Sequence, residues 1–444
     1  AAIVKLQGVD VVVSAMKRHV AVPAVRTNGC EVLAYLAREE AHQPLIATAE
    51  GIEAVVAVMQ AAARDPTARQ YACRILAYVS SNSARQAQIA AAGGIEALIG
   101  AMLAHPKKAA LQHSAIAALS NLAASNPAIQ AQIAEHNGIE LVLAAMLGHR
   151  RDMAVQENGC GALSDLAQEN LLNATRITEK GGVEVAVNCI REVSSKLGVV
   201  ENGLQALGDI GRRNPKAQAR MNELGTGELA IAMMQKYATR PRVQQHCCSV
   251  ISAVVSSEGV KAELNHALRR AVAAAMRAFP ANPEVQSRGC EAFSSFTKKA
   301  GGEVEALDDG VAELVVQAMH GHPKKISLLL HGCQALANMT ATDLGHQTRV
   351  MAHGAAEVVA AVMCAHGGEV ELMSSACLFA GNLAYNPENQ KVLLDLGFRE
   401  MIQGLTETHG PQGDLRLNLR ALKALGNLDH TEEARDESTA SKAN

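Results

Sequence analysis

The residues best placed to do chemistry in this 444-residue sequence stand in a file. One aligned position, followed along the chain, holds Tyr35, Tyr78, Asn121, Asp165, Asp209, Ala253, Ser295, Asn338, Asn382 and Asn427. An amide offers one acceptor and two donors, so it can pair with both the C=O and the N–H of an extended peptide. Such groups at regular steps would grip a backbone segment rather than transform it. One amide pair contributes only about 0.5–1.5 kcal/mol net, so several must act together. Two other readings stay open: the amides are copies kept by duplication without use, or they bridge neighbouring repeats. The file is interrupted at Ala253 and Ser295, which predicts two sites, one over Asn121 to Asp209 and one over Asn338 to Asn427.

Other chemistry finds no purchase. There is no G-x-x-x-x-G-K-S/T, no G-x-S-x-G and no H-E-x-x-H, so neither an enzyme nor a metal or cofactor is expected. The ten cysteines include no C-x-x-C. Seven of them (Cys30, Cys73, Cys160, Cys248, Cys290, Cys333 and Cys377) stand five residues before the file position. At about 100° per residue they share a side with rows of Leu and Val, and the file points about 160° away. They therefore read as small core residues in a reducing compartment. The cytoplasm is the first expectation, with nucleus or cilium as alternatives. His19, His105, His149, His322 and His366 recur near one helix end, where they are expected to bond the last carbonyls. Arg212, Arg213, Lys298 and Lys299 follow the file in repeats five and seven. They form a candidate basic centre for an acidic ligand, whose hold would weaken with salt. Asp165, Asp209 and Glu169 beside them would instead take a basic residue. His-Pro-Lys-Lys, at 105–108 and 322–325, reads as a turn with solvated lysines. A net charge of -3 gives no field for nucleic acid. No apolar run of about 18 residues predicts a membrane span, while lipidation upstream of Ala1 stays open.

The elements that carry the file repeat every 43 or 44 residues. A Gly, an apolar residue and an acid recur at Gly8-Val9-Asp10, Gly51-Ile52-Glu53, Gly94-Ile95-Glu96, Gly138-Ile139-Glu140 and Gly182-Val183-Glu184. The register continues through Gly225, Leu268, Gly310, Gly354 and Gly397, about ten repeats in all. Each reads as three helices. A short first helix stops at the Gly, which can turn left-handed. A second carries an apolar stripe such as Ile95, Leu98, Ile99 and Met102. The third, longest helix carries the file. The chain is thus expected to be all-α: a solenoid over 1–430, entered part-way through its first repeat and irregular near 225–310, then a polar tail over 431–444 expected to be disordered. Arg416, Arg420 and Lys423 predict a polar outer face on the last third helix, as a capping repeat needs.

Repeat length, the Gly-Ile junction, and Asn-Leu near the end of the third helix (Asn121-Leu122, Asn382-Leu383, Asn427-Leu428) resemble the armadillo repeat family, which includes β-catenin, importin-α and vacuolar armadillo adaptors. The resemblance implies a right-handed superhelix whose third helices line a concave groove. It also implies that Asn121, Asn338, Asn382 and Asn427 hold the backbone of a bound protein segment, with Asp165 and Asp209 as looser matches. The function implied is a scaffold or adaptor. The alternatives are a structural strut in a ciliary or membrane-associated assembly, a nuclear-transport adaptor, and a nucleotide-sensing domain. The transport reading lacks its lysine-binding shelves, since the sequence has no Trp.

Overall fold

The computed structural model describes residues 8–298, 310–341, 344–409 and 414–429. Lys299, the end of the irregular region over 300–309, the first seven residues and the 431–444 tail lie outside them. The regular structure in the described residues is helical. Contacts divide the chain into two compact units, Ala1–Thr226 and Gly227–Asn444. In the first, the third helices Pro23–Ala37, Pro66–Val79, Ala109–Ala123, Met153–Ala167 and Leu197–Gly211 pack each on the next. In the second, Pro241–Ser256, Pro283–Lys298, Ile326–Met339, Val370–Leu383 and Leu415–Asp429 do the same.

The packing surface is apolar and small. Leu33, Leu76, Leu119, Leu163 and Leu207 are fully buried, as are the seven cysteines of the aligned row. Cys189 and Cys247 join them in the core, and Cys364 is exposed. Burial pushes the Cys30 and Cys73 thiols up to about 12, so they remain neutral core groups.

The junction between first and second helices uses two residues, not one. The left-handed residue is Gly93 (φ +79°), Asn137 (φ +60°) or Gly181 (φ +81°). The following Gly94, Gly138 and Gly182 already begin the second helix. Gly94 is needed for space, because a Cβ there would lie 2.4 Å from Ile89 Cγ2 and 2.7 Å from the Ile89 carbonyl oxygen. Gly225, Gly310, Gly354 and Gly397 are themselves left-handed, so the recurrent Gly of the sequence merges two aligned positions. Repeat seven has Ala267-Leu268 there and cannot make the break. Its first two helices run together as Ala262–Ala278.

The histidines also differ from expectation. They cap the second helices through their backbone N–H groups, but the imidazoles of His149, His322 and His366 do not bond their own helix ends. Their Nε2 atoms lie 2.8, 2.9 and 2.8 Å from the carbonyls of Pro106, Pro280 and Pro323, in the turn of the preceding repeat. Of the polar outer face expected of the last helix, Arg416 and Lys423 are exposed, but the rest differs. Arg420 turns inward and its Nη1 donates to the Ser374 carbonyl at 3.2 Å, while Leu415, Leu419 and Leu422 face solvent.

The last carbonyls of the second helices are taken by buried glutamines of the third. Gln112 Nε2 donates to Met102 and His105 at 2.9 and 3.1 Å. Gln156, Gln244 and Gln286 repeat the pattern, and Arg69 Nε takes Met59 in repeat two. Gln112→Leu keeps the volume but strands two buried carbonyls. It should cost about 1–3 kcal/mol in a denaturant unfolding titration; an unchanged midpoint would refute this role for Gln112.

Candidate functional site

The file sits on one side of the third helices, and most of its members are partly exposed. Asn121 and Tyr35 are exposed; Tyr78, Asp165, Asp209, Ser295, Asn338, Asn382 and Asn427 are half-buried, and Ala253 is buried. Tyr35 is 68% exposed, with the Arg38 guanidinium 5.8 Å from its ring centre.

Each Asn, Asp and Ser member is tied to the residue one step before the file in the preceding repeat. Asn121 Nδ2 donates to the Ala77 carbonyl at 2.8 Å. In the second unit Asn382 takes the Ala337 carbonyl at 2.8 Å and Asn427 the Gly381 carbonyl at 2.9 Å. Asn338 lies 3.4 Å from the Ser294 carbonyl and 3.2 Å from Thr297 Oγ1. A carboxylate has no proton to offer a carbonyl, and where the file holds Asp the partner changes. Ser120 Oγ donates to Asp165, and Ser164 Oγ to Asp209 at 2.6 Å. Ser252 and Ser295 share a 2.9 Å hydroxyl bond at the file's weakest point. The amides thus do have a packing reason to be kept, which sequence reasoning placed only among its alternatives. An amide carries two N–H groups and a carbonyl oxygen. At Asn121 and Asn382 the bond to the neighbour fixes the side chain through its Nδ2.

The carboxylates feel the same crowding. Burial, more than the neighbouring Asp209, pushes the Asp165 carboxyl up to about 6, against the pull of the Ser120 hydroxyl. Asp209 lies 3.7 Å from Arg212, the residue just past the end of its helix. That pairing reduces the charge Arg212 can present to a ligand. Arg213 is exposed in a left-handed turn residue (φ +55°), and Lys298 is exposed at the end of its helix. Arg213 and Lys298 belong to different units. Lys325 of the second His-Pro-Lys-Lys reaches back to Glu284 of the preceding repeat.

Sequence reasoning missed a second row, seven residues before the file. Asn158 Nδ2 donates to the His113 carbonyl at 3.1 Å, and Asn202 Nδ2 to the Glu157 carbonyl at 3.0 Å. Arg420 fills the same position in the last repeat. A signal was present, since two helical turns separate the rows and the second holds a side chain with a polar N–H or O–H group in every repeat. Among the described residues no group of His, Cys, Asp and Glu is arranged to hold a metal, and no single helix is long and apolar enough to cross a membrane.

Against known proteins, the family model of the LRRK2 ARM repeat matches residues 94–301. No curated protein matches the chain in sequence. Among solved structures, one is a chain from work on a conserved phosphorylation switch that controls the interaction between cadherin and β-catenin. It is similar with a TM-score of 0.60 and 15% identity, over 95% of this chain and 81% of that one. An engineered protein solved as a Northeast Structural Genomics Consortium target is 22% identical, with a TM-score of 0.49, over 57% of this chain and 99% of that one. At such identities the likeness is one of fold.

Two outcomes test the pairing. Asn382→Asp sets a carboxylate against the Ala337 carbonyl and should cost about 1–3 kcal/mol; adding Ala337→Ser supplies a donor and should recover a measurable part, read as a coupling energy in a double-mutant cycle. Asp165 is protonated more readily when folded than when unfolded, so its contribution to stability falls as pH rises from about 4 towards 6. The melting temperature of Asp165→Asn should lack that decline, and parallel curves for both proteins would contradict the assignment.

Proposed function

We propose that this chain, whose residues 94–301 match the LRRK2 ARM repeat model and whose fold is similar to that of a chain from work on cadherin and β-catenin, works as a non-catalytic armadillo-type scaffold holding extended segments of other proteins along its third-helix file. The observation that carries this is the tethering of partly exposed amides at one-repeat intervals. Asn121 and Asn382 are each fixed by a bond to the preceding repeat, and Asn427 makes the same bond to Gly381. A side chain already held in place loses little rotamer entropy when it meets a ligand. Tyr35 and Tyr78 extend the same file with rings that can cover apolar side chains. Free thiols throughout the core suit a reducing compartment such as the cytoplasm.

The weak stretch of the file at Ala253 and Ser295 supports two sites, one on each unit. The first centres on Asn121, Asp165 and Asp209, the second on Asn338, Asn382 and Asn427. The carboxylates of the first favour a segment with a basic residue at that point.

The bonds between repeats favour a second reading, in which the file only fastens the solenoid. The two are separable. Peptides selected from a random phage-displayed library on the whole chain are measured against Asn121→Ala and Asn382→Ala. Scaffold function predicts a loss of affinity of roughly 5–10-fold, about one good hydrogen bond, with each peptide sensitive to one variant and not the other. A fastening role predicts lower melting temperatures with affinities unmoved, and that result would sink the proposal.

A further inference from the structure

In the first unit the turns between second and third helices gather charge that nothing else in the fold uses. The turn of repeat two carries Arg64, that of repeat three Lys107 and Lys108, and that of repeat four Arg150 and Arg151, and all five are exposed. Among the described residues none of the five takes part in an ion pair. The carboxylates of the same turns are engaged elsewhere. Asp65 accepts from the Thr67 and Ala68 N–H groups, and Asp152 from those of Ala154 and Val155, where the third helices begin. The turns of repeats three and four lie side by side, since His149 Nε2 meets the Pro106 carbonyl at 2.8 Å. The whole chain has a net charge of -3, so the positive excess is local to this edge.

Two leucines stand beside these cations. Leu103 and Leu147 share one aligned position, in the last turn of the second helices Gly94–Ala104 and Gly138–Gly148, and are 61% and 48% exposed. Packing does not require an apolar residue there, because Lys17, Gln60, Arg191 and His320 fill the position in other repeats and are exposed too. Leucine stands there in the two adjacent repeats whose turns each hold two uncompensated cations. Repeat eight makes the contrast: its turn also holds two lysines, but Lys325 is paired with Glu284 and the position is His320.

We infer that this edge of the first unit docks on an anionic lipid surface, with Lys107, Lys108, Arg150 and Arg151 on the phosphates and Leu103 and Leu147 in the headgroup layer. A lipid interface rewards both kinds of group at once. Cations are drawn to an anionic leaflet, and apolar side chains gain by leaving water at the headgroup boundary. The phosphate backbone of a nucleic acid would satisfy the cations and leave the leucines in water. The docking is peripheral, since among the described residues no single helix is long and apolar enough to cross a membrane. It leaves the file open, because Asn121 lies about 20 Å further along the third helix Ala109–Ala123 than Lys108 does. Lipid and a protein segment can therefore be held together.

Co-sedimentation of the 444-residue chain with phosphatidylcholine vesicles, alone or with about 30% phosphatidylserine, tests the edge directly. The chain should bind the anionic vesicles and leave the neutral ones in suspension. Lys107→Ala with Lys108→Ala should weaken partitioning roughly 20-fold, about fivefold per charge removed, and Arg150→Ala with Arg151→Ala should match it. Leu103→Ser with Leu147→Ser should weaken it several-fold. That leucine ratio should hold as salt rises from about 0.05 to 0.2 M, while the overall affinity falls. All the changed residues are on the surface, so circular dichroism should be unaltered. Equal uptake by both kinds of vesicle, uptake that ignores the cation changes, or a leucine variant that binds as well as the unaltered chain would each overturn the inference. Binding to a single-stranded RNA that exceeds vesicle binding and ignores the leucines would reassign the edge to nucleic acid.

Discussion

Each third helix lies beside another helix whose carbonyls already accept one bond within their own turn. A carbonyl has a second lone pair, and between stacked helices water has little room to reach it. The donor that arrives from the next repeat fixes the spacing of the stack. Asn121 on Ala77 and Asn427 on Gly381 show this in its simplest form. The small residues at the contact let the backbones come close enough for a short amide to span the gap. Gly381 would carry its Cβ 3.5 Å from Ala424. Bulk there would part the helices and break the bond together.

The same constraint explains why the interior holds so much polar side chain for a fold driven by burial. Gln112, Gln156, Gln244 and Gln286 are nearly inaccessible, yet each satisfies two carbonyls at a helix end. Three-helix repeats have many helix ends, and each leaves orphan acceptors. The histidines extend this logic between repeats by reaching the Pro carbonyls of the preceding turn.

Architecture was legible because it depends on side-chain type at fixed spacing. The Leu rows, the seven core cysteines and the file itself follow from alignment and helical periodicity alone. The partners of the file were less legible because most are backbone carbonyls, which have no identity in sequence. The Asp positions were an exception. Ser120 and Ser164 stand one step before the file in the repeats preceding Asp165 and Asp209, a covariation readable without coordinates. The outer face of the last helix was read only in part, with Arg416 and Lys423 exposed as expected. Composition counted Arg416, Arg420 and Lys423 as surface, whereas the register sends Arg420 to Ser374 and leaves the leucines outside.

The dependence of each file residue on the residue before it in chain order gives the array a syntax. A repeat bearing Asp must follow one that ends in Ser, whereas a repeat bearing Asn accepts any predecessor with an open carbonyl. Units of this kind are not freely interchangeable parts. Transplanting repeat four behind repeat eight would set Asp165 against Ala337, two acceptors facing each other with no proton between them. Gene shuffling within such a chain would be filtered by that rule, and the order of the repeats is itself inherited information.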